Sequence, residues 1–260
     1  MREGRGLRPR HLLRLLGLLA LAWPPAALAE LAVGRFEAGL EPWREVRLGE
    51  RIPPNRFRLR SWDGAAALEI FSQRSMSLMA RPLEVDLQRL PVLCWRWRVE
   101  AVLKTADLAR RSGDDYAARV YVSLRIPEVH QGLALRAQLR LARAIWGAEV
   151  PDAALNYVWD NRHPVGTERP NAYTERTVMI VLRSGSADVG GWVVERRDVR
   201  DDAARLFGPW ALPSQLALAA DTDDTGEAAT AGFADLHFVA ADAPCRFGAA
   251  GPRSRPAAGP

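Results

Sequence analysis

The segment 115–124 combines polar groups that could bind a ligand with a spacing that would place them on one surface. Asp115, Arg119 and Tyr121 fall on alternate positions, and mostly apolar residues occupy the positions between them. Successive side chains of a strand point to opposite faces of a sheet. The pattern therefore predicts a strand with one core face and one polar, ligand-binding face.

A second group of polar and aromatic residues lies between positions 155 and 183. Asn156 and Trp159 belong to a predicted strand, Asn171 and Tyr173 to the long loop after it, and Arg183 ends the next strand. Aromatic rings stack on the apolar face of a sugar, and amides and guanidinium groups bond to its hydroxyls. These residues are predicted to extend the same ligand-binding face. The alternative is an ordered loop that its aromatic side chains pin to the sheet.

Three carboxylates lie close together in the segment D-T-D-D-T-G, at Asp221, Asp223 and Asp224. Carboxylates this close repel one another unless a cation or an arginine lies among them, and Ca²⁺ prefers oxygen ligands. The spacing is not that of an EF-hand, because no glutamate follows at the required distance. The segment predicts a calcium site, and the alternative is a solvated turn held by one arginine.

Catalysis on a glycan would require a pair of carboxylates. Asp115 with Glu195, or Asp115 with Asp221, is the candidate pair of catalytic acid and base, because glycoside hydrolysis uses two carboxyls about 5–5.5 Å or about 6.5–9.5 Å apart. The sequence lacks the motifs G-x-S-x-G and H-E-x-x-H and has no phosphate-binding glycine loop. This lack favours ligand binding over turnover.

Short strands must position these residues. The chain is rich in Val, Trp, Tyr and Leu runs separated by Gly, Pro, Asp and Asn, which is typical of an antiparallel β-sandwich. The predicted strands are 56–61, 66–72, 77–80, 92–100, 117–126, 154–159, 176–183, 192–199, 214–221 and 229–239. Trp95 and Trp97 are predicted to face the core, with Cys94 and Arg96 on the opposite face. A helical insertion is expected at about 130–147, and another short helix at 201–207.

The ends of the chain differ in composition from its middle. Residues 1–29 hold an arginine-rich start, an apolar run and a small-residue cleavage pattern, which predict a signal peptide and a periplasmic or secreted protein. Their removal lowers the net charge from +5 to near +1, so nucleic acid is not an expected partner, and no transmembrane segment would remain. Residues 30–248 are predicted to form one domain, and 249–260 a disordered tail. Cys94 and Cys245 could pair in an oxidising compartment, but two separate thiols are expected, because Cys94 lies mid-strand and Cys245 beyond the last strand.

Several strings resemble the DUF3047 family of secreted bacterial proteins. They are W-R-W-R-V, G-D-D-Y-A-A-R-V-Y-V, L-N-Y-V-W, R-P-N-A-Y-T-E-R, V-x-E-R-R-D-V and D-T-D-D-T-G. This resemblance implies a single β-sandwich and no established activity. More distantly, G-F-A-D-L-H-F is similar to the last strand of galactose-binding-like and carbohydrate-binding-module jelly rolls. That similarity implies a jelly roll, a sugar ligand and calcium near Asp221, Asp223 and Asp224.

The sequence therefore predicts an all-β protein that binds a carbohydrate or a cell-envelope glycan on a polar sheet face. One alternative is a glycan hydrolase or lyase that uses paired carboxylates. The other is an envelope protein that docks a protein partner on the same face.

Overall fold

The computed structural model describes residues 30–146 and 150–248, and within them two β-sheets pack face to face. The strands are β1 (Glu30–Gly34), β2 (Arg44–Arg47), β3 (Arg56–Trp62), β4 (Ala65–Gln73), β5 (Ser77–Pro82), β6 (Val92–Val99), β7 (Ala118–Arg125), β8 (Ala153–Asp160), β9 (Glu168–Pro170), β10 (Thr177–Ser184), β11 (Val193–Asp198), β12 (Leu212–Ala219) and β13 (Ala228–Val239). The helices are α1 (Leu133–Trp146) and α2 (Val199–Phe207), with 3₁₀ turns at Phe36–Ala38, Arg111–Gly113 and Glu128–His130. This arrangement confirms the predicted β-sandwich with a short helical insertion.

One sheet has six strands and the other has seven. The six-stranded sheet runs β11-β6-β13-β4-β3, with β1 also paired to β13. The seven-stranded sheet runs β2-β5-β12-β7-β8-β10-β9. The pair β8 and β10 is parallel, whereas the other strand pairs of the described residues are antiparallel, so the seven-stranded sheet is mixed. The loop after β8 carries the chain back to the end of the sheet at which β8 begins, so β10 runs in the same direction as β8. Strand β9 pairs antiparallel with β10 on its outer side.

The core between the sheets contains the largest aromatic side chains. Trp95 and Trp97 on β6 are fully buried, as the alternation predicts. The ring centroid of Trp95 lies 5.6 Å from that of Tyr157, and the Trp97 centroid lies 5.8 Å from that of Trp159. These contacts join one sheet to the other, because each tryptophan of β6 packs on an aromatic residue of β8.

All ten predicted strands are present, and three short ones were missed. The missed strands are β1, β2 and β9, which have 5, 4 and 3 residues and too few positions for a clear alternation. Both predicted helices are also present. Helix α2 begins two residues earlier than predicted, and the side chain of its N-cap Asp198 accepts a hydrogen bond from the Asp201 backbone N–H.

Cys94 and Cys245 form a disulfide, so the expectation of two separate thiols is wrong. Their Cα atoms lie 5.7 Å apart although 151 positions separate them in the sequence. After β13 the chain turns back over the outer face of β6, where Ala243 and Phe247 pack near Cys94. This return brings Cys245 to a strand that its position in the sequence does not indicate.

Two predicted segments lie outside the described residues: the signal peptide at 1–29 and the tail at 249–260. The last position of the predicted insertion, 147, also falls outside them, while the helix itself is described through Trp146. Among the helices that the structure describes, none is both long enough and apolar enough to span a membrane.

Candidate functional site

A cleft of about 540 Å³ lies on the outer face of the seven-stranded sheet. Its floor crosses six neighbouring strands, each of which contributes a side chain. These are, in sheet order from β2 to β10, Val46, Leu78, Gln215, Tyr121, Ala154 and Thr177. Loops raise its sides and supply further polar groups, so the cleft is a concave surface with both apolar and polar lining.

The strand β7 presents its side chains as the alternation predicts. Arg119, Tyr121 and Ser123 line the cleft, whereas Val120 and Val122 are buried between the sheets. Tyr116 does not follow the pattern, because β7 begins only at Ala118 and alternation has no meaning before that residue. Its ring instead packs in a separate cluster with Val158 and Met179 on the outer side of the sheet.

Arg119 lies at one end of the cleft floor and is almost completely buried, with 3% of its surface exposed. Its Nη1 donates to a carboxylate oxygen of Asp221 and to the carbonyl oxygen of Asp114, the latter at 3.5 Å. Its guanidinium carbon lies 4.6 Å from the ring centroid of Tyr116 and 4.8 Å from that of Tyr121. The charge is therefore held by an ion pair and by two aromatic rings.

Asn156 completes the surroundings of Arg119. With its amide oxygen towards the guanidinium, it accepts from Nη2 at 2.7 Å and from Nε at 3.1 Å. Together with Asp221 and the Asp114 carbonyl, these contacts use all but one of the five N–H groups of the guanidinium. Arg119 thus organises the end of the cleft, and most of its donors are not available to a ligand.

A chain of polar contacts connects this end of the cleft to the loop between β9 and β10. The Asp114 carboxylate accepts from the Tyr116 hydroxyl at 3.1 Å and from the side-chain amide of Asn171. The hydroxyl of Tyr173 donates to the Asp224 carboxylate, at 3.0 and 3.1 Å from its two oxygens. The loop is therefore tied to two carboxylates that lie on the other side of the cleft end.

The pKa values of Asp224 and Tyr173, at the end of the cleft, are both raised. Burial raises the pKa of Asp224 from 3.8 to about 6, while the hydrogen bond from Tyr173 opposes this rise. Burial, together with the Asp224 carboxylate, raises the pKa of Tyr173 to about 12. The hydroxyl of Tyr173 therefore stays protonated at neutral pH and remains a hydrogen-bond donor.

The carboxylates of Asp115, Asp221 and Asp223 converge beside Arg119. One oxygen from each lies within 4.8 Å of the others, which is close enough for all three to contact one cation. Asp224 is not a member of this group, because its carboxylate accepts from Tyr173 and its backbone N–H donates to Asp115. The set that could hold a metal is therefore Asp115, Asp221 and Asp223, with Asp115 in place of the predicted Asp224.

Trp159 lies away from the cleft, as do Arg183 and Glu195. Trp159 faces the core, where it packs on Trp97 and donates from Nε1 to the Gly185 carbonyl oxygen at 3.2 Å. It is three positions after Asn156, so the two side chains point to opposite faces of β8. The prediction that both contact one ligand is wrong for this geometric reason.

Arg183 and Glu195 form an ion pair between the edges of the two sheets. Nε of Arg183 on β10 lies 2.6 Å from a Glu195 carboxylate oxygen on β11, and Trp97 Nε1 donates to the same oxygen at 3.0 Å. Burial raises the pKa of Glu195, and the contact with Arg183 opposes that rise. Neither residue lines the cleft. Glu195 contacts Arg183 and Trp97, whereas the Asp115 carboxylate accepts from the backbone of the turn after β12, so among the described residues no contact joins Glu195 to Asp115 as an acid–base pair. Asp221 lies beside Asp115 instead.

Arg96 and Arg119 both lie on outer faces, but of different sheets, so their polar surfaces are separate. Arg96 and Arg98 lie on β6 of the six-stranded sheet, on its outer face. Arg96 pairs with Asp235, and Arg98 pairs with Asp63 at 2.5 Å. Alternation identifies the outer face of each strand but does not say to which sheet the strand belongs.

Sequence reasoning missed Asp114, Thr177 and Gln215, which also line the cleft. Asp114 lies in the turn before β7, where strand alternation does not apply. Gln215 had a usable signal, because it is the one amide side chain of β12 and directly precedes the apolar run 216–219. Thr177, at the first position of β10, had none.

Comparison with curated proteins finds no match. Among solved structures, the chain is similar to a family 11 carbohydrate-binding module of a cellulosomal cellulase from Clostridium thermocellum, with 11% identity, coverage of 83% of this chain and 97% of that one, and a TM-score of 0.41. It is also similar to the xyloglucanase domain of NopAA from Sinorhizobium fredii, solved with cellobiose, with 8% identity, coverage of 76% and 92%, and a TM-score of 0.40. A family 30 carbohydrate-binding module from Clostridium thermocellum shows 10% identity, coverage of 83% and 94%, and a TM-score of 0.36.

A family model gives the firmer result. The model described as "Protein of unknown function (DUF3047)" matches residues 41–237, which is most of the chain and includes every residue of the cleft end described above. This protein therefore belongs to the DUF3047 family.

Proposed function

We propose that this protein binds a carbohydrate in the cleft of the seven-stranded sheet, without chemical change to it. The observation that carries the proposal is the lining of that cleft, in which two tyrosine rings lie beside amide, hydroxyl and carboxylate groups on a concave floor. A sugar ring has an apolar face and a rim of hydroxyls, and this lining offers a partner for each.

The tyrosines supply the apolar contact. Tyr173 has 54% of its surface exposed, and Tyr121 is half-buried on the floor. The hydroxyl of Tyr173 is anchored by Asp224 and by the Arg111 carbonyl oxygen at 3.3 Å, so its ring is held in place before a ligand arrives. A ring that is already ordered loses little conformational entropy on binding.

The floor and the rim supply hydrogen bonds. The side chains of Gln215 and Thr177 make no hydrogen bond to another residue among 30–146 and 150–248, so their groups are available to sugar hydroxyls. The carboxylates of Asp223 and Asp224 are further acceptors that line the cleft. The donors of Arg119 are largely used inside the protein, so this end of the cleft offers more acceptors than free donors.

This balance of charge indicates the class of sugar. Asp114, Asp221, Asp223 and Asp224 line the same end, and the guanidinium beside them is already paired with Asp221. An anionic sugar such as a uronate would be repelled there, whereas hydroxyls donate readily to carboxylates. The ligand we propose is therefore a neutral glycan.

We place this activity in the periplasm or outside the cell. The signal-peptide pattern of residues 1–29 is one support, and the Cys94–Cys245 disulfide is another. Disulfides persist in oxidising compartments and are rare in the cytosol.

The test is binding of the purified protein to an array of neutral and acidic bacterial and plant glycans. We expect selective binding of a neutral glycan, weakened about tenfold by Tyr173→Ala, because one stacking contact contributes about 0.5–1.5 kcal/mol beyond area burial. The matched control is Trp210→Ala, which removes an exposed aromatic ring that stacks on His130 and does not line the cleft.

Three results would count against the proposal. Absence of binding to every glycan on the array would contradict a sugar ligand. Equal losses of affinity from Tyr173→Ala and Trp210→Ala would mean that the glycan binds outside the cleft. Release of shorter sugars from a bound glycan would show turnover, and the protein would then be a hydrolase or lyase.

A further inference from the structure

The carboxylates of Asp115, Asp221 and Asp223 come from two separate parts of the chain. Asp115 precedes β7, and the other two belong to the turn between β12 and β13. Their oxygens lie within 4.8 Å of one another, and two of the three residues are buried. Three like charges at this separation are unfavourable unless a positive charge lies among them.

Arg119 supplies only part of that charge. Its Nη1 donates to Oδ2 of Asp221, whereas Oδ1 of the same carboxylate is buried and accepts no hydrogen bond from the described residues. Asp221 is 3% exposed, so water does not readily compensate this oxygen. A buried carboxylate oxygen without a partner is unfavourable in free energy, and a bound cation would remove that cost.

The turn is shaped so that its backbone supports Asp115. The backbone N–H of Asp224 donates to Asp115 Oδ1 at 3.3 Å, and that of Thr225 donates to Oδ2 at 2.6 Å. The next residue, Gly226, has a φ of +71°, a conformation that side chains disfavour and that closes the turn. The Asp115 carboxylate is therefore held towards Asp221 and Asp223 in advance.

We propose that Asp115, Asp221 and Asp223 bind a calcium ion. All the donors are carboxylate oxygens, which suit a hard cation, and no histidine or cysteine is among them. The ion would join the segment before β7 to the turn after β12 and would satisfy Asp221 Oδ1. This site goes beyond glycan binding, since it requires no ligand in the cleft.

The test is calorimetric titration of the chelator-treated protein with CaCl₂, alongside its thermal midpoint with and without calcium. We expect saturable binding and a rise in the midpoint, because an ion that binds only the folded state stabilises it. MgCl₂ should bind more weakly, because Mg²⁺ demands a tighter octahedral geometry and gives up its waters reluctantly.

Two variants with the same change of charge locate the site. Asp223→Asn removes a proposed ligand and should weaken calcium binding at least tenfold, while Asp224→Asn, next to it in the sequence, should weaken it less than threefold. Asp221→Asn is not suitable, since it also breaks the ion pair with Arg119. Circular dichroism of both variants in chelator checks that they fold.

The proposal is wrong if millimolar calcium gives neither heat nor a change in the thermal midpoint; a proton shared by Asp221 and Asp223 would then account for their proximity. Equal losses of calcium affinity in the two variants would also overturn it, because they would mean that the negative charge of the turn attracts calcium without a defined set of ligands. The titration contains no glycan, so its failure is separate from a failure of carbohydrate binding.

Discussion

The guanidinium of Arg119 and the carboxylate of Asp221 form a buried ion pair, although 102 positions separate them in the sequence. They meet because β7 and β12 are neighbours, with Arg119 directly opposite Ala219, two residues before Asp221. Burial raises the pKa of Asp221 well above its usual range, the Arg119 charge opposes that rise, and Asp223 and Asp115 add to it. The pair therefore connects the strand framework to the carboxylates at the cleft end.

Replacing Arg119 should destabilise the fold. Arg119→Met leaves the Asp221 carboxylate buried without its cation, and we expect the free energy of unfolding to fall by about 3–5 kcal/mol. Urea denaturation measures this change. The double variant Arg119→Met/Asp221→Asn removes both charges and should regain part of the loss. A single variant within about 0.5 kcal/mol of the wild type, as for an ordinary surface substitution, would mean that the pair has no structural role.

Removing the disulfide should also reduce stability. In Cys94→Ala/Cys245→Ala the loop that the bond closes is released, and we expect a loss of about 2–5 kcal/mol in the free energy of unfolding. Denaturation with and without a reducing agent measures the effect. Reductant should lower the stability of the wild type and leave the variant unchanged. A wild type that does not respond, and that has two thiols by chemical titration, would contradict the bond.

Substitution of Trp159 should separate stability from binding. Because Trp159 packs on Trp97 between the sheets, Trp159→Ala should lower the free energy of unfolding by about 3–5 kcal/mol. Trp159→Phe should remain folded and keep its affinity for the glycan that the array identifies. If Trp159→Phe lost affinity as strongly as Tyr173→Ala, the ring would contact the ligand after all.

The protonation of Asp224 should depend on Tyr173. Its carboxyl has a pKa of about 6 against 3.8 for the ordinary group, so the folded protein binds more protons than the unfolded chain between these values. The contribution of Asp224 to stability is therefore present below the lower value and is lost as the pH rises through the higher one. The change in stability relative to Asp224→Asn should be under about 1 kcal/mol, because the side chain is partly exposed.

Carbon-13 NMR of the Asp224 carboxyl group, in chelator, measures this titration directly. We expect a midpoint near 6 that moves upwards in Tyr173→Phe, because the hydroxyl that favours the ionised form is lost. Calcium should move it downwards, since a nearby cation favours the carboxylate. A midpoint near 3.8 in the wild type would mean that Asp224 is not desolvated.

The sequence by itself determined the class of fold and the faces of its strands. Alternation placed Trp95 and Trp97 in the core and Arg119 and Tyr121 on the outside, because side chains of successive residues in a strand must point to opposite faces. It located ten of the strands and both helices, since those segments are long enough for their hydrophobic period to be read.

Only the tertiary structure decided which outer faces belong together. Strands with the same alternation can join either sheet, so pairing separated Arg96 from Arg119 and placed Glu195 and Arg183 at a sheet edge. The return of the chain after β13 joined Cys94 to Cys245. Convergence of Asp115 with Asp221 and Asp223 likewise depends on the pairing of β7 with β12. This pairing joins residues as much as 100 positions apart, from Arg119 to Ala219, which local periodicity does not encode.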